Sequence, residues 1–293
     1  MQIYYIIMKV IKDTELILTA ENKVYHLNLL GKEIADSIIV VGDRARVRQV
    51  SQHFDNIDFE IKNREFLTHT GTYNGKRISV VATGIGTDNI DIVLNELDAA
   101  VNIDLETRTI KAKKKSLNII RLGTSGALQR DVKVDSFLMA THGLGFDGLA
   151  HFYQSENIID EKMSSAFASH SNWPKQSAYP YIVKASEELL KKFDSFAKGI
   201  TATASGFYAP QGRQLRIAPT IEDLHQKMNT FCYKGNRITN FEMETSALYF
   251  LAKALGHHAL TICAIIGNRI SKTQSKDYKK TVDKMILKVL EMI

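Results

Sequence analysis

The chain has 293 residues, of which 44% are hydrophobic and 24% charged, the ordinary mix of a globular protein. This composition excludes a disordered chain, a collagen and a coiled coil. The net charge of +6 leaves three kinds of partner open: a nucleic acid, a membrane surface and a small anionic substrate.

Apolar patterns along the chain predict alternating strands and helices. The β-branched run Ser37–Val41 predicts a buried strand. Residues 65–82 alternate on either side of Asn74-Gly75, which predicts a hairpin. From Asp88 helical spacing predicts a helix capped by Thr87 or Asp88. Later patterns predict strands at 117–122, 136–140, 200–204 and 259–266, helices at 185–196 and 243–255, and a C-terminal helix.

This alternation of strands and helices favours an α/β fold with a mostly parallel or mixed sheet. The sequence has no internal repeat, no low-complexity linker and no break in composition. The polar stretch 168–180 is predicted to be an irregular loop rather than a domain linker. We therefore expect one domain, residues 24–293, preceded by an N-terminal extension, residues 1–23.

Most of the positive charge is concentrated in two runs. Residues 108–115 carry a net charge of +5 and residues 272–288 carry +4. The second run is predicted to belong to an amphipathic C-terminal helix with lysines on its solvent-facing side. Basic runs of this kind are weak signals for nucleic-acid binding, so we interpret both as solvated surface and expect no nucleic-acid partner.

Cysteine usage and the N-terminus indicate the compartment. Cys232 and Cys263 form no CxxC pair and favour a reducing cytoplasm over a secreted disulfide scaffold. The apolar start, residues 1–8, is too short for a membrane span and lacks the features of a signal peptide. We therefore expect a cytoplasmic protein without a membrane partner. The nine histidines form no HExxH motif and no ligand cluster, so no metal site is indicated.

Arg121 begins a short segment in which two glycines flank two hydroxyl residues. Gly123 and Gly126 would let the backbone approach a ligand, with Thr124 and Ser125 between them. Backbone N–H groups, a guanidinium and a hydroxyl together form a cradle suited to an anion. The spacing differs from that of the G-x-S-x-G nucleophile elbow. A plain tight turn is the alternative.

Gly42 and Arg46 repeat this chemistry at the end of another predicted strand. A helix start with surface arginines is the alternative. Two cradles of one type favour a single phosphate bound between them. Gly84 and Gly86 are not part of a dinucleotide fingerprint, because Asn89 stands where a third glycine is required.

Two further segments carry groups suited to a nucleoside. Phe207, Gln211 and Arg213 offer a ring face, an amide and a guanidinium to a planar heterocycle, although a surface loop with a core-facing aromatic is the alternative. Glu242 and Glu244 flank the start of a predicted helix, where acids are ordinary partners of the helix dipole. A carboxylate there can equally accept two hydrogen bonds from a vicinal diol.

Taken together, these motifs resemble the nucleoside phosphorylase family, specifically its uridine phosphorylase branch. The matching segments occur in order and cover most of the chain. They are Val24-Tyr25-His26-Leu27, Gly42-Asp43 with Arg46-Val47, Arg64-Glu65-Phe66, Thr83-Gly84-Ile85-Gly86, Arg121 with Gly123-Thr124-Ser125-Gly126, Phe207-Tyr208 with Gln211 and Arg213, Glu242-Met243-Glu244 with Ser246, and Asn268-Arg269.

The resemblance implies a role for each matching residue. Inorganic phosphate would be bound by Gly42, Arg46, Arg121 and Thr124, and Arg64 would reach the phosphate of a neighbouring subunit. The ribose would contact Met243 and Glu244, and His26 would reach the 5′-hydroxyl in the neighbouring subunit. The base would be bound by Phe207, Gln211, Arg213, Ile266 and Arg269. Arg121, Glu244 and Arg213 would carry catalysis.

The resemblance also implies the fold and the reaction. The fold would be a single α/β domain with a central mixed, barrel-like sheet flanked by helices, assembled as a homodimer or hexamer with shared active sites. The reaction would be phosphorolysis of uridine to uracil and ribose 1-phosphate in pyrimidine nucleoside salvage, a pentosyl transfer. Phosphate would be the co-substrate, and no metal or organic cofactor would be required.

Two positions bear on specificity and on the departure from the family pattern. Asn268 stands where purine-specific relatives have an acidic aspartate, which favours pyrimidines. Arg44 replaces the usual proline of the Gly42 loop. The alternatives are a purine nucleoside phosphorylase or nucleosidase of the same family, a nucleic-acid-binding protein, and a relative that stores its ligand without catalysis.

Overall fold

The computed structural model describes residues 10–154 and 156–293. Strands and helices alternate along the chain, as the apolar pattern predicts. The strands are β1 (Ser37–Val41), β2 (Asn56–Asn63), β3 (Phe66–Tyr73), β4 (Lys76–Ala82), β5 (Ile103–Asp104), β6 (Thr109–Ile110), β7 (Asn118–Ala127), β8 (Phe137–Gly145), β9 (Tyr181–Lys184), β10 (Ala197–Thr203), β11 (Cys232–Tyr233), β12 (Asn236–Glu242), β13 (His258–Asn268) and β14 (Thr273–Gln274). The helices are α1 (Arg44–Ser51), α2 (Thr87–Asn102), α3 (Glu161–Ser171), α4 (Glu187–Lys192), α5 (Leu224–Thr230), α6 (Thr245–Leu255) and α7 (Tyr278–Met292).

One mixed sheet of twelve strands organises the fold. Ten of them follow the order β11-β12-β10-β8-β13-β7-β1-β4-β3-β2, and the other two, β9 and β14, pair with β8 and β13. Strand β1 lies parallel to both of its neighbours, β4 and β7, whereas β13 pairs parallel to β7 and antiparallel to β8. Strands β7 and β12 also pair, through Asn240–Ala127 and Phe241–Gly126, so the strands from β12 to β7 form a closed, barrel-like ring. The expected single α/β domain with a mixed, barrel-like sheet is confirmed.

The hairpin predicted around Asn74-Gly75 is formed by β3 and β4, with both turn residues at positive φ. The amphipathic C-terminal helix is also confirmed. Its buried face carries the apolar side chains of Val282, Met285, Ile286, Val289 and Leu290. Lys279, Lys280 and Lys284 are exposed to solvent. Within the described part of the chain, every helix is too short or too polar to span a bilayer.

The tight turn considered for residues 123–126 is wrong, because β7 continues through both glycines to Ala127. Strand β13 runs beside β7 from Asn118 to Ala127, and this pairing satisfies the backbone groups that a turn would have redirected. The pairing shifts register between Ile265 and Gly267, where the strands bend at the rim of the barrel. The residues of the expected cradle therefore lie within the second half of β7, in extended conformation.

Three boundaries also differ from the predicted ones. Helix α2 is capped by the backbone of Gly86, at φ 99°, rather than by Thr87 or Asp88. The helix predicted at 185–196 is shortened to α4, which ends at Lys192, and residues 193–196 form the turn that leads into β10. Helix α3 extends to Ser171, into the stretch expected to be a loop.

The N-terminal segment that is described packs onto the domain. The guanidinium of Arg108 donates to the Leu16 carbonyl at 2.6 Å and pairs with Asp13 at 3.0 Å. Part of the first basic run is thus engaged within the chain. The boundary expected at residue 24 remains a prediction, and the apolar residues 1–8 lie outside the described residues.

Candidate active site

A cavity of about 1080 Å³ opens where β1, β7, β12 and β13 end near one another. Most residues that the resemblance singles out line this cavity: Gly42, Arg46, Arg121, Thr124, Phe207, Gln211, Arg213, Met243, Glu244, Ile266 and Arg269. Strands β1 and β7 are parallel neighbours. Arg46, which follows β1, and Arg121, which lies within β7, are therefore brought side by side. His26 and Arg64 do not line the cavity of their own chain.

Arg121 lies at the centre of the site, on β7, and its side chain is almost fully buried. Its guanidinium folds back over Gly123, where a Cβ atom would lie 2.0 Å from Nη1. Glycine at this position therefore makes room for the guanidinium. Nη1 pairs with Glu242 at 3.1 Å, and Nη2 donates to Glu244. Burial by itself would lower the pKa of Arg121, but the two carboxylates outweigh burial and raise it.

Glu242, the last residue of β12, is a site residue whose role the sequence left open. Its carboxylate accepts hydrogen bonds from Thr203 Oγ1 at 2.7 Å and from the backbone N–H groups of Glu244 and Thr245 at 3.0–3.1 Å. Burial raises the pKa of Glu242 and Arg121 opposes the increase. Because its oxygens are occupied by the chain itself, Glu242 acts as the fixed partner of Arg121 rather than as a ligand for substrate.

Glu244 caps the backbone at the start of α6 and is buried beside the cavity. One of its oxygens accepts a hydrogen bond from the N–H of Gly86 at 2.9 Å, and the other accepts from Arg121. Gly86 belongs to the glycine turn that starts α2, so this turn positions a carboxylate 158 residues away in the sequence. The helix predicted to begin at Met243 begins two residues later, at Thr245, because β12 continues to Glu242.

Arg46 lies in the first turn of α1, next to the end of β1. Its Nη1 donates to the Leu122 carbonyl at 3.3 Å, which directs the guanidinium toward Arg121. Burial, and then the charge of Arg121, lower the pKa of Arg46 from its usual value. The charge of Arg46 beside Arg121 favours binding of an anion between the two guanidiniums. Gly42 and Thr124 line the same end of the cavity.

The opposite end of the cavity is formed by the loop that carries Phe207, Gln211 and Arg213. The Arg213 guanidinium stacks on the Phe207 ring at 3.7 Å from its centroid. Arg213 Nη1 donates to Gln211 Oε1 at 2.8 Å. Gln211 is buried, whereas Phe207 remains about half exposed (51%) at the rim. Burial lowers the pKa of Arg213.

Arg269, at the end of β13, approaches the same glutamine from the other side. Its Nη2 donates to Gln211 Oε1 at 2.6 Å and its Nη1 donates to the Gln211 carbonyl at 2.7 Å. Gln211 Oε1 thus faces two guanidiniums. Burial, and then Arg213, lower the pKa of Arg269 to about 10, so it remains cationic at neutral pH. Ile266 is the apolar neighbour at this end of the cavity.

Asn268 lines the cavity, but its amide is engaged by the backbone. Nδ2 donates to the carbonyls of Gln129 and Val132, both at 2.8 Å, and Oδ1 accepts from the N–H groups of Ile270 and Ser271. The side chain holds the chain at the end of β13. It supplies neither an acid nor a free polar group to a ligand.

His26 and Arg64 lie together on the surface, away from the cavity of their own chain. Asn63 Nδ2 donates to the carbonyls of Tyr25 and His26 at 3.1 and 2.9 Å. These bonds connect the turn between β2 and β3 to the segment that carries His26. The Arg64 guanidinium lies 5.2 Å from the centroid of the Tyr25 ring. Glu96 accepts hydrogen bonds from His26 Nδ1 at 2.6 Å and from its backbone N–H at 2.9 Å.

Arg44, which stands where proline is usual, connects the Gly42 loop to this surface. Its Nε donates to the Glu65 carbonyl at 2.8 Å, next to Arg64 at the tip of the β2–β3 hairpin. A proline could not make this contact. Several cavity residues escaped the sequence interpretation. Glu242 is the partner of Arg121 and His225 lies beside Arg269, and neither has a local signal because their partners are distant in the sequence. Lys272 and Lys276, which were interpreted as solvated surface, are exposed but also line the cavity.

Comparison with known proteins agrees with this geometry. The family model of the phosphorylase superfamily matches residues 36–292, which is most of the chain. The chain belongs to this superfamily. It is therefore one of the phosphorylases whose fold and motifs the sequence resembles, and the family resemblance is confirmed.

Individual relatives of this phosphorylase fall into two specificity groups. A uridine phosphorylase of Thermococcus kodakarensis is 28% identical over 272 residues, covering 89% of this chain and 83% of that protein. A DeoD-type purine nucleoside phosphorylase of Bacillus velezensis is 26% identical, covering 92% and 98%. Among solved structures, a Trypanosoma brucei nucleoside phosphorylase described as showing uridine phosphorylase activity superposes with a TM-score of 0.86 at 28% identity, covering 94% of this chain and 98% of that one.

Proposed function

We propose that the protein is a uridine phosphorylase, a pentosyltransferase that converts uridine and phosphate to uracil and ribose 1-phosphate. The observation that carries this proposal is one cavity with three chemically distinct parts. Arg46 and Arg121 lie at one end, Met243 and Glu244 lie beside them, and Gln211 lies between Arg213 and Arg269 at the other end. An anion, a sugar diol and a pyrimidine match these parts in turn.

Phosphate is the nucleophile of the proposed reaction. Arg46 and Arg121 bind the dianion without needing a defined proton position, since guanidiniums carry only donors. Breaking the C–N bond of uridine leaves a cation-like sugar. A phosphate held beneath that sugar stabilises its charge and then forms the new bond at C1′.

Glu244 is the proposed ligand of the ribose hydroxyls. Its carboxylate is already oriented by Gly86 and Arg121, so little reorganisation is required when a diol binds. Met243 supplies apolar surface beside the sugar. This arrangement places the diol next to the guanidinium that binds phosphate.

The uracil leaving group carries negative charge on its oxygens as the C–N bond breaks. Gln211, Arg213 and Arg269 present an amide and two guanidiniums there, which stabilise this charge electrostatically. Asn268 cannot protonate a purine N7, and its amide is held by backbone groups. These features support a pyrimidine over a purine. Phosphate is a co-substrate, and the proposed reaction needs no metal or organic cofactor.

Homodimers or hexamers with shared sites are part of the proposal. His26 and Arg64 lie on one surface of the chain and outside its own cavity, so a second copy has to receive them if they serve catalysis. Their location supports a site completed by a neighbouring subunit.

Two unpaired thiols, Cys232 exposed and Cys263 buried, support a reducing compartment such as the cytoplasm.

The test of the reaction is release of uracil from uridine, followed by ultraviolet absorbance, with and without phosphate. Phosphate-dependent release is expected. Release without phosphate would identify a nucleosidase, and faster turnover of inosine than of uridine would identify the purine alternative. No release of any base would contradict the proposal.

The shared site is tested by co-expressing two inactive variants with different affinity tags. In a mixed dimer of Arg64→Ala and Arg121→Ala chains, one site contains both defects and the other contains neither. Purified mixed dimers should therefore recover about half of the wild-type activity, although each parent homodimer is nearly inactive. Mixed dimers as inactive as the parents would contradict sharing, without contradicting the proposed reaction.

A further inference from the structure

His225 lies at the base end of the cavity, in the first turn of α5, and none of the roles above uses it. Its Nε2 lies 2.8 Å from Arg269 Nη1 and 2.7 Å from the Gln211 carbonyl oxygen. We infer that His225 is a specificity-determining positioning residue, which accepts a hydrogen bond from Arg269 and holds that guanidinium against Gln211 for recognition of the pyrimidine. This inference rests on the proposed function.

The direction of the hydrogen bond follows from the chemistry of the partners. A guanidinium carries only donors, and Nη1 has one hydrogen for the Gln211 carbonyl and one for His225. The contact with the charged Arg269 is stronger than a neutral N–H···O contact with Gln211, so it determines the tautomer. Nε2 of His225 is therefore unprotonated and Nδ1 carries the hydrogen.

The charged groups that face the imidazole favour this neutral form. They are the guanidiniums of Arg269, from the end of β13, and Arg213, from the 207–213 loop. Burial, and then Arg269, lower the pKa of His225 below its usual value and outweigh the Gln211 carbonyl, which raises it. A protonated His225 would direct an N–H at Nη1 and add a third positive charge to the cluster, so acid should release Arg269 from its place.

Gly212 lets the imidazole reach this position. It adopts φ 68°, and a Cβ atom there would lie 3.1 Å from His225 Nε2. A side chain at position 212 would therefore meet the atom that accepts from Arg269. The loop geometry and the histidine together determine where Arg269 lies.

The consequence for recognition falls on the Gln211 amide. Its Oε1 accepts from both Arg213 and Arg269, so its NH₂ group points away from the arginines. That orientation leaves a donor for a carbonyl oxygen of the base. If Arg269 is no longer held by His225, one of the two bonds that orient the amide is weakened. The loss should therefore appear in base binding and not in phosphate binding.

The experiment compares wild type with His225→Leu, His225→Gln and the control His170→Leu. His170 Nε2 contacts the Lys227 carbonyl and Thr230 on the neighbouring surface, outside the cavity. Uracil dissociation constants are measured by calorimetry in the presence of phosphate, beside kcat and the KM values for uridine and phosphate.

His225→Leu should raise the uracil Kd and the uridine KM about tenfold, with the phosphate KM within about twofold. It should also lower kcat, because the displaced Arg269 stabilises the departing uracil less well. His225→Gln keeps an acceptor oxygen near the Nε2 position and should restore most of the affinity. Between pH 7 and pH 5 the uridine KM of wild type should rise, whereas that of His225→Gln should stay flat. His170→Leu should match wild type throughout.

Equal uracil affinities for wild type and His225→Leu would overturn the inference. So would equal losses for His225→Gln and His225→Leu, or a loss in phosphate KM as large as that for uridine. A wild-type protein that binds uracil but does not cleave uridine would contradict the proposed reaction alone. A wild-type protein that does not bind uracil would contradict both.

Discussion

The guanidinium of Arg121 donates to the carboxylate of Glu244, which joins the proposed phosphate ligand directly to the proposed ribose ligand. The two residues are 123 positions apart in the sequence, on β7 and at the start of α6. Because Glu242 binds the same guanidinium, Arg121 lies between two buried carboxylates. In the proposed complex, this single side chain would fix the position of the anion relative to the sugar.

Arg121→Ala should abolish phosphate-dependent activity and also destabilise the fold. Removing the cation leaves Glu242 and Glu244 buried without their partner, which costs about 3–5 kcal/mol of unfolding free energy. Arg46→Ala is the matched control. It should weaken phosphate binding, but it removes only a long hydrogen bond to a carbonyl and should cost about 1 kcal/mol. Urea unfolding of both variants measures the difference, and equal midpoints would contradict the ion-pair argument.

Gly123→Ala should displace the Arg121 guanidinium without changing any charge. The added methyl group would lie 2.0 Å from Nη1, a distance that forces the side chain to move. A shift of about 1 Å in a catalytic group can reduce turnover about 100-fold. The measurement is phosphorolysis beside uracil binding by calorimetry. Activity should fall while uracil affinity stays near that of wild type, and unchanged activity would show that Arg121 does not depend on this space.

Glu244→Gln should affect uridine more than 2′-deoxyuridine. The carboxylate accepts hydrogen bonds from both ribose hydroxyls in the proposed complex, and the amide replaces one acceptor by a donor. We expect kcat/KM for uridine to fall about 10–100-fold, and that for 2′-deoxyuridine to fall less. Steady-state kinetics with both nucleosides test this. Equal losses for the two substrates would place Glu244 away from the 2′-hydroxyl.

His142→Asn should reduce the loss of stability in mild acid. His142 lies on β8, and burial, with the charge of Lys184, lowers its pKa from 6.5 to about 4. The unfolded chain therefore binds a proton between these values that the native chain does not. The stability contributed by neutral His142 is complete above pH 6.5 and is lost progressively as the pH falls toward 4, by up to roughly 3 kcal/mol.

Urea unfolding at pH 7, 5.5 and 4.5 measures this linkage. The midpoint of wild type should fall more steeply with acid than that of His142→Asn. His53→Asn, which replaces a partly exposed histidine in the turn after α1, serves as the comparison. Parallel slopes for wild type and His142→Asn would assign the acid sensitivity to other groups.

Local signals in the sequence predicted much of the fold and one face of the site. The β-branched run of β1, the Asn74-Gly75 hairpin and the amphipathic pattern of α7 depend on neighbours in sequence, so the apolar pattern predicts them correctly. Gly123 and Gly126 misled the reading of β7, because both residues favour turns in isolation. Pairing with β13 along the whole segment overrides that preference.

Eleven of the residues expected from the resemblance line one cavity. Each of them lies in a short segment at or after a strand of the barrel, so the local motif could identify it. The sequence by itself indicated which residue types are proposed to bind the phosphate, the sugar and the base. Only the tertiary structure decided that Glu242 secures Arg121, that His225 reaches Arg269, and that His26 and Arg64 lie outside their own cavity. Those relationships join residues far apart in the chain, and their partners are set by barrel closure and strand register, which no local pattern records.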